Sequence, residues 1–586
     1  MPALAITLLV VALWSVQGIG FVRRLMPSLR EQPLVEWVLA TWFGALTSLI
    51  ALLELYYIVP AATIGQLAWP VTIMLAGSSI VMWVRSSHSR RRLDAASWGV
   101  VAISLVATLL VLRPLLGHPH LGFYFSNNGE FANYAAIGDA ARFHDSATAV
   151  GGFGLHSREA IGAIPAAVVS QLTGRSLLWV IQPVAAAMAM LAFATLGILT
   201  RRVALAFDAR WPTLIALGLI FAWAVMSASA QCFWTLSFVS QYLCVALWFG
   251  ALAALVELPV AAERARILLL GLTIGALACI YPEMAVPSTA LLVASELAMA
   301  PRRRTVARLA VTAVIAIIVA NRLGLELVLG RTGMTAGGWN IYGDSRPVLG
   351  FFSAITGFTN PFSGPTSTHL VTVGPAAIVF VAALAFAAAT IRKAPPSIRA
   401  LSLLVILFAL GVAGIFWIVA RRGDGNNYVA LKLLLGLGWL GYLGLAIMVA
   451  SIARAKPVLG YVALAIMLVF WVDLSRGAYR FTKQLHQVRR TALYDEHDAA
   501  SIRQTLDARP VYVAAGWFNT FIIGQFIAYD HDLVAADGRL SEREHQTFTP
   551  GSWILVLEDA DLTKDPHLAS STRIPAWIGP HLLLLR

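Results

Sequence analysis

The chain has 586 residues, 59% of them hydrophobic and only 12% charged, with a mean hydropathy of +0.75 and a formal net charge of +13. That balance excludes a soluble globular protein, because apolar runs near 20 residues, the length that crosses a bilayer core, recur along the sequence. The cationic excess would suggest nucleic acid in a soluble chain. Here the Arg and Lys residues lie in short connections between apolar runs, which removes nucleic acid from the partners and leaves the lipid bilayer.

In chain order the apolar runs fall at about 3–20, 34–59, 67–85, 96–116, 177–200, 212–229, 236–257, 267–281, 283–300, 306–323, 370–391, 400–420, 431–450 and 457–474. They predict an α-helical polytopic membrane protein of about 14 spans, with 267–300 readable as a hairpin or as one broken span. The first run has no charged leader and no cleavage pattern, so it reads as a retained span. Cations then fall in alternate connections: Arg23, Arg24 and Arg30; Arg85 and Arg90 to Arg92; Arg201, Arg202 and Arg210; Arg264 and Arg266. The pattern continues with Arg302 to Arg304 and Arg308, then Arg392, Lys393 and Arg399, then Arg454 and Lys456. The positive-inside rule makes these connections cytoplasmic. Those around Pro60, Gln231 and Pro282 carry no Lys or Arg. The N-terminus, the loops at 117–176 and 324–369 and the tail from 475 are therefore expected outside the cytoplasm. Cys232, Cys244 and Cys279 form no paired framework, and neither a disulfide nor a CxxC metal site is expected.

The first loop contains Ser126-Asn127-Asn128-Gly129-Glu130, and the residues that follow have helical character. Helical spacing puts Glu130, Tyr134 and Ile137 on one face and Asp139 one turn from Arg142. An acid opening a helix just above the membrane can serve as general base toward a sugar hydroxyl. The same pattern is a capping box, Asn127 at the N-cap and Glu130 at the third position, and needs no function. His118-Pro119-His120 reads as a loop more than as a metal pair, and no other ligand set suggests a cofactor or a bound cation.

Tyr281-Pro282-Glu283 lies at the tip of two short apolar runs, which places Glu283 near bilayer depth; a proline turn with a solvated acid is the other reading. In the second loop 350–358 is apolar but too short to cross, and Asp344 and Arg346 are candidate substrate contacts with Asn340 beside them. The tract Arg421-Arg422-Gly423-Asp424-Gly425-Asn426-Asn427-Tyr428, followed by Lys432, puts three cations on the face whose other short connections lack them. Arg suits bidentate phosphate binding, and Asn426, Asn427 and Tyr428 offer neutral groups for sugar hydroxyls. Headgroup snorkelling is the alternative for the two arginines. No P-loop occurs, so energy for group transfer has to arrive stored in the substrate. The tail from 475 to 586 reads as a small α/β domain, with strands at 510–513 and 553–557 and helices at 498–506 and 521–527.

An acid followed by Tyr and Ala along a helix, soon after an outward-going span, resembles the first extracytoplasmic loop of membrane glycosyltransferases of the GT-C fold. The resemblance covers about residues 96–474 in layout, with 1–95 as an N-terminal three-helix addition and 475–586 as the soluble extracytoplasmic domain. Members of that family typically carry an Asp or Glu in this loop that serves catalysis. Here the pair is Gly129-Glu130, so only Glu130 carries over. The resemblance implies a glycosyltransferase of a bacterial inner (plasma) membrane that moves a sugar from a polyprenyl-phosphate donor to an extracytoplasmic glycan or lipid acceptor. Within that reading Glu130, Asp139 and Glu283 are catalytic candidates, Arg421, Arg422 and Lys432 bind the donor phosphate, and Tyr134 and Tyr281 join the substrate contacts. An envelope-polysaccharide polymerase or ligase, a transporter or flippase of lipid-linked glycans, and an inactive binding protein on the same scaffold are the alternatives. Some relatives with diphosphate donors use a divalent cation, for which this sequence has no dedicated ligands.

Overall fold

The computed structural model describes residues 2–86, 93–117, 120–124, 130–146, 157–235, 239–299, 303–331, 381–391, 394–422, 436–469, Trp471, Arg476, 493–516, 518–529, 548–557, Ala560, 572–579 and 581–585. Four long helices open the chain: α1 (Pro2–Leu25), α2 (Pro33–Ile58), α3 (Ile64–Val84) and α4 (Ala95–Leu116). After strand β1 (Leu121–Tyr124) come α5 (Glu130–Phe143), α6 (Ser157–Thr173), α7 (Leu177–Ala206), α8 (Trp211–Met226), α9 (Ala228–Thr235) and α10 (Val239–Glu257). The second half adds α11 (Glu263–Ile280), α12 (Pro282–Met299), α13 (Arg303–Arg331), α14 (Val381–Thr390), α15 (Pro396–Arg422), α16 (Trp439–Ala455) and α17 (Val458–Val469). The C-terminal segment contains β2 (Leu493–Asp495), α18 (Glu496–Thr505), β3 (Val511–Ala514), α19 (Phe518–Tyr529), β4 (Trp553–Val556), β5 (Thr572–Ile578) and β6 (His581–Leu585).

Among the described residues seven helical stretches are long and apolar enough to cross a membrane: α1 to α4, α7, the consecutive pair α8 and α9, and α10. They coincide with the first seven apolar runs of the sequence. Shorter apolar helices follow, including α12, most of α13, α14, the first part of α15, α16 and α17. Helices α7 and α10 are apolar on every side because both are enclosed by other helices, α10 along its whole length. The first three helices share this core. Trp42 of α2 donates from Nε1 to the Leu247 carbonyl of α10 at 2.9 Å, and Thr7 of α1 reaches the Pro183 carbonyl of α7 at 3.0 Å. Gly18 and Gly44 let α1 and α2 touch backbone to backbone: a Cβ on Gly18 would lie 1.9 Å from the Ala40 carbonyl oxygen, and one on Gly44 1.9 Å from that of Trp14.

One end of the bundle is a layer of arginine contacts. Arg23 forms a two-pronged pair with Glu36 at 2.6 and 3.3 Å, Arg201 pairs with Asp94 at 3.0 Å, and Arg308 pairs with Glu263. Arg266, only 2% exposed, donates to both Glu296 oxygens and to the carbonyls of Leu255 and Leu258 at 2.7 and 2.9 Å. These residues terminate α1, α7, α10 and α12 and begin α2, α4, α11 and α13, so the basic connections lie on one face.

The opposite end carries β1, α5, α6 and the C-terminal segment. Strand β1 pairs antiparallel with β2, Leu121 opposite Asp495 and Phe123 opposite Tyr494. A second sheet has the order β3-β4-β6-β5, with β3 and β4 parallel and the other pairs antiparallel. Helix α19 packs on both β3 and α5, which joins the sheet to the first loop. The expected strands at 510–513 and 553–557 and helices at 498–506 and 521–527 correspond to β3, β4, α18 and α19.

Candidate functional site

Helix α5 is the seat of the first candidate residues. Its sequence alternates Ala with larger apolar groups so closely that Phe131, Ala132, Ala135, Ala136, Ile137, Ala140 and Ala141 are all buried. The helix is therefore wedged between others, against α6 and α7. Glu130 begins it, Tyr134 is buried, and Asp139 is wholly excluded from solvent. The Asp139 carboxylate lies 3.9 Å from Arg142 Nη1. Arg142 in turn donates to the Gln171 side-chain oxygen at 2.8 Å and to Ser170 Oγ at 3.0 Å, and Ser170 Oγ donates to the Arg175 carbonyl at 2.6 Å. This chain of contacts locks α5 to the end of α6. From there Arg175 donates twice to Glu496 of α18, at 2.9 and 3.1 Å, and stacks over Trp179. His120 offers its carbonyl to the Glu496 amide at 3.0 Å, and its ring sits 6.0 Å from that of His497.

Tyr281, Glu283 and the Arg421–Arg422 pair lie at helix ends away from the arginine layer. Tyr281 is buried at the break between α11 and α12, where its φ of −153° and ψ of 84° interrupt the helical path. Glu283 occupies the first turn of α12, and Arg421 and Arg422 are the last residues of α15. Asp344, Arg346, Asn426, Asn427, Tyr428 and Lys432 lie outside the described residues, as does Asn127.

Neighbours of three of these places converge. Phe131, next to Glu130, faces Tyr242 of α10 with ring centroids 6.4 Å apart. Tyr242 lies 4.8 Å from Trp234 of α9, and Trp234 lies 6.1 Å from Trp439, which opens α16 after the Arg421 tract. Just before it, a Cβ on Gly436 would come within 2.7 Å of Met284 Cε and 3.3 Å of Gln241 Nε2. Met284 is the residue after Glu283. Phe131 and Met284, the neighbours of Glu130 and Glu283, thus meet the start of α16 around a cluster formed with Trp234, Gln241, Tyr242 and Trp439. The cluster is rigid: Tyr242 donates its hydroxyl to the Phe233 carbonyl at 2.6 Å, and Trp248 Nε1 donates to the Ser288 carbonyl at 2.9 Å, fastening α10 to α12.

Sequence reading missed a second polar group on this end. Glu54, in the last turn of α2, accepts from Asn321 Nδ2 at 3.3 Å. Asn321 has φ 47° and ψ −161°, a left-handed conformation that breaks α13. Cys279 Sγ lies 3.4 Å from the Ala320 carbonyl beside the break, and Tyr56 donates its hydroxyl to the His144 carbonyl at 3.2 Å. An acid near the end of an otherwise apolar span was the available signal, since such a residue seldom sits there without a partner.

The aromatic and amide groups of the cluster are buried against one another and tie α5, α9, α10, α12 and α16 together beneath the helix ends that carry Glu130 and Glu283. The chain matches no protein-family model and no curated protein.

Proposed function

We propose that this chain is a membrane-embedded glycosyltransferase of GT-C-like architecture, with about fourteen spans, acting on the face opposite the basic connections. It transfers a sugar from a polyprenyl-phosphate donor to a glycan or lipid acceptor. The observation that supports this reading most is the meeting of Phe131, beside Glu130, and Met284, beside Glu283, with the start of α16 around Tyr242 and Trp439. In this reading Glu130 takes the acceptor proton, Arg421, Arg422 and Lys432 hold the donor phosphate, and Glu283 orients the acceptor. Asp139 positions α5 through Arg142. The face with the basic connections is cytoplasmic, and the C-terminal segment is an extracytoplasmic domain resting on the first loop.

The experiment is reconstitution of the full chain with a radiolabelled polyprenyl-phosphate sugar. Transfer to an endogenous lipid or glycan acceptor is expected, and Glu130→Gln should reduce it at least a hundredfold, as loss of a general base does. Arg421→Lys and Arg422→Lys should each weaken donor use about ten- to a hundredfold although the charge is kept, because Lys lacks the two-pronged geometry. Donor use unchanged in both Lys variants removes the phosphate assignment.

A further inference from the structure

Two cavities meet at Trp211, on the face that carries the basic connections. The first is a mouth of about 420 Å³ between the α7–α8 turn and the junction of α16 and α17, lined by Asp208, Arg210, Arg454 and Tyr461. The second is a groove of about 680 Å³ between α4, α7 and α8, with Gly99, Ile103, Gly197, Gly218, Phe221 and Trp471 along it. Trp211 lines both, is largely exposed, and meets Tyr461 edge-on at 5.7 Å. Tryptophan and tyrosine in that posture mark the headgroup depth of a bilayer.

The groove is open space that the sequence keeps open. A Cβ placed on Gly99 or on Gly218 would meet nothing within 4 Å. Along α4 the groove runs from Ala95 to Val106. At a rise of 1.5 Å per residue that is about 17 Å, close to half of a hydrocarbon core of roughly 30 Å. A long polyprenyl chain would overrun it, whereas one acyl tail of a single leaflet fits its length. The mouth is charged to match. Arg210 is exposed and has no acidic partner among the described residues. Arg454 reaches Asp208 only at 3.9 Å with both side chains more than half exposed, and Lys456 follows it. Arg201, paired with Asp94, lies at the groove end nearest this mouth.

We propose that the joined cavities bind an anionic bilayer phospholipid, its phosphodiester held by Arg210 and Arg454 and one acyl chain laid along α4 and α8. Arginine suits phosphate oxygens, and basic residues at the cytoplasmic leaflet favour anionic lipids. The site stands at the other end of α4 and α8 from the Glu130 region. It neither uses nor depends on the residues assigned to sugar transfer.

The test is native mass spectrometry of the full chain in detergent with equal amounts of phosphatidylglycerol and phosphatidylcholine. The parent protein should retain one phosphatidylglycerol per chain about tenfold more readily than phosphatidylcholine, the effect of one charge-assisted contact. Arg210→Glu combined with Arg454→Glu should abolish that preference. Gly218→Trp should lower retention of both lipids by filling the groove, and Gly99→Leu repeats that arm if the tryptophan variant does not give a single size-exclusion peak. Equal retention of the two lipids by the parent, or a preference untouched by the charge reversals, overturns the proposal. Displacement of phosphatidylglycerol by an equal amount of long-chain polyprenyl phosphate overturns it as well, by assigning the cavity to a different lipid.

Discussion

Arg266 illustrates what a buried cation requires in this bundle. It is enclosed by α10, α11 and α12 and fills its donors with two carboxylate oxygens and two carbonyls. Glu296→Gln leaves that charge uncompensated and should cost about 3–5 kcal/mol. Replacing the pair together by Met should restore most of the loss, and equilibrium unfolding of the purified chain in detergent measures both. At this scale the sequence was legible where a residue type carries its own requirement: Arg142 one turn from Asp139 does form the expected pair, at 3.9 Å. It was illegible where the partner comes from elsewhere in the chain. Glu54 and Asn321 lie far apart in sequence, and nothing in either local pattern announces that a break in α13 turns the amide toward α2.

Helices declare themselves by length and apolarity, but not by what surrounds them. Hydropathy located α7 and α10, yet could not tell that they are enclosed by protein while α3 and α4 leave much of their surface exposed. Close approach is equally hidden. Gly44→Leu should prevent α1 and α2 from seating and abolish a monodisperse folded product on size exclusion. Gly77→Leu, where a side chain meets nothing within 4 Å, should be tolerated in the same assay. In the C-terminal sheet β3 and β4 were readable as short apolar runs, whereas in the separate pair β1 is interrupted by Gly122 and β2 has only three residues. Strand β6 begins with His581, 2% exposed, whose imidazole burial pushes down to about 4. The unfolded chain binds that proton near pH 6.5, the folded sheet only near pH 4, so stability falls as pH drops between those values. The full loss is about 3 kcal/mol at roughly 1.4 kcal/mol per pH unit. Protection factors of the Leu582–Leu585 amides should therefore fall between pH 7 and pH 5, and His581→Gln should flatten the dependence.

The whole molecule has two chemically distinct ends, one of arginine pairs and one of helix breaks, aromatic groups and strands. The proposed orientation puts the first in the cytoplasm, by the positive charge of the basic connections. His497→Cys, on the strand end, should then react with an impermeant thiol reagent in intact cells, and Lys456→Cys, on the arginine end, only after lysis. The three native cysteines are buried and give little background. Reversed accessibility would place the Glu130 region in the cytoplasm and remove the extracytoplasmic acceptor. The alternation of charge made this two-ended plan readable from sequence. The docking of the C-terminal segment on the first loop was not, because β1 and β2 come from opposite parts of the chain and strand pairing over such distances leaves no local trace.

That pairing also fixes an order of events during synthesis. Leu121 emerges early and Asp495 near the end, so β1 has no strand to pair with until nearly every helix has been made. Throughout that interval the contacts from Arg175 and His120 to Glu496 are missing as well, and α5 is held by the bundle alone. The contacts of β1 and α5 with the terminal segment are therefore completed last. A chain stopped before Leu493 should insert its helices normally yet remain open to protease at 117–176, assembled everywhere except at this end of the bundle.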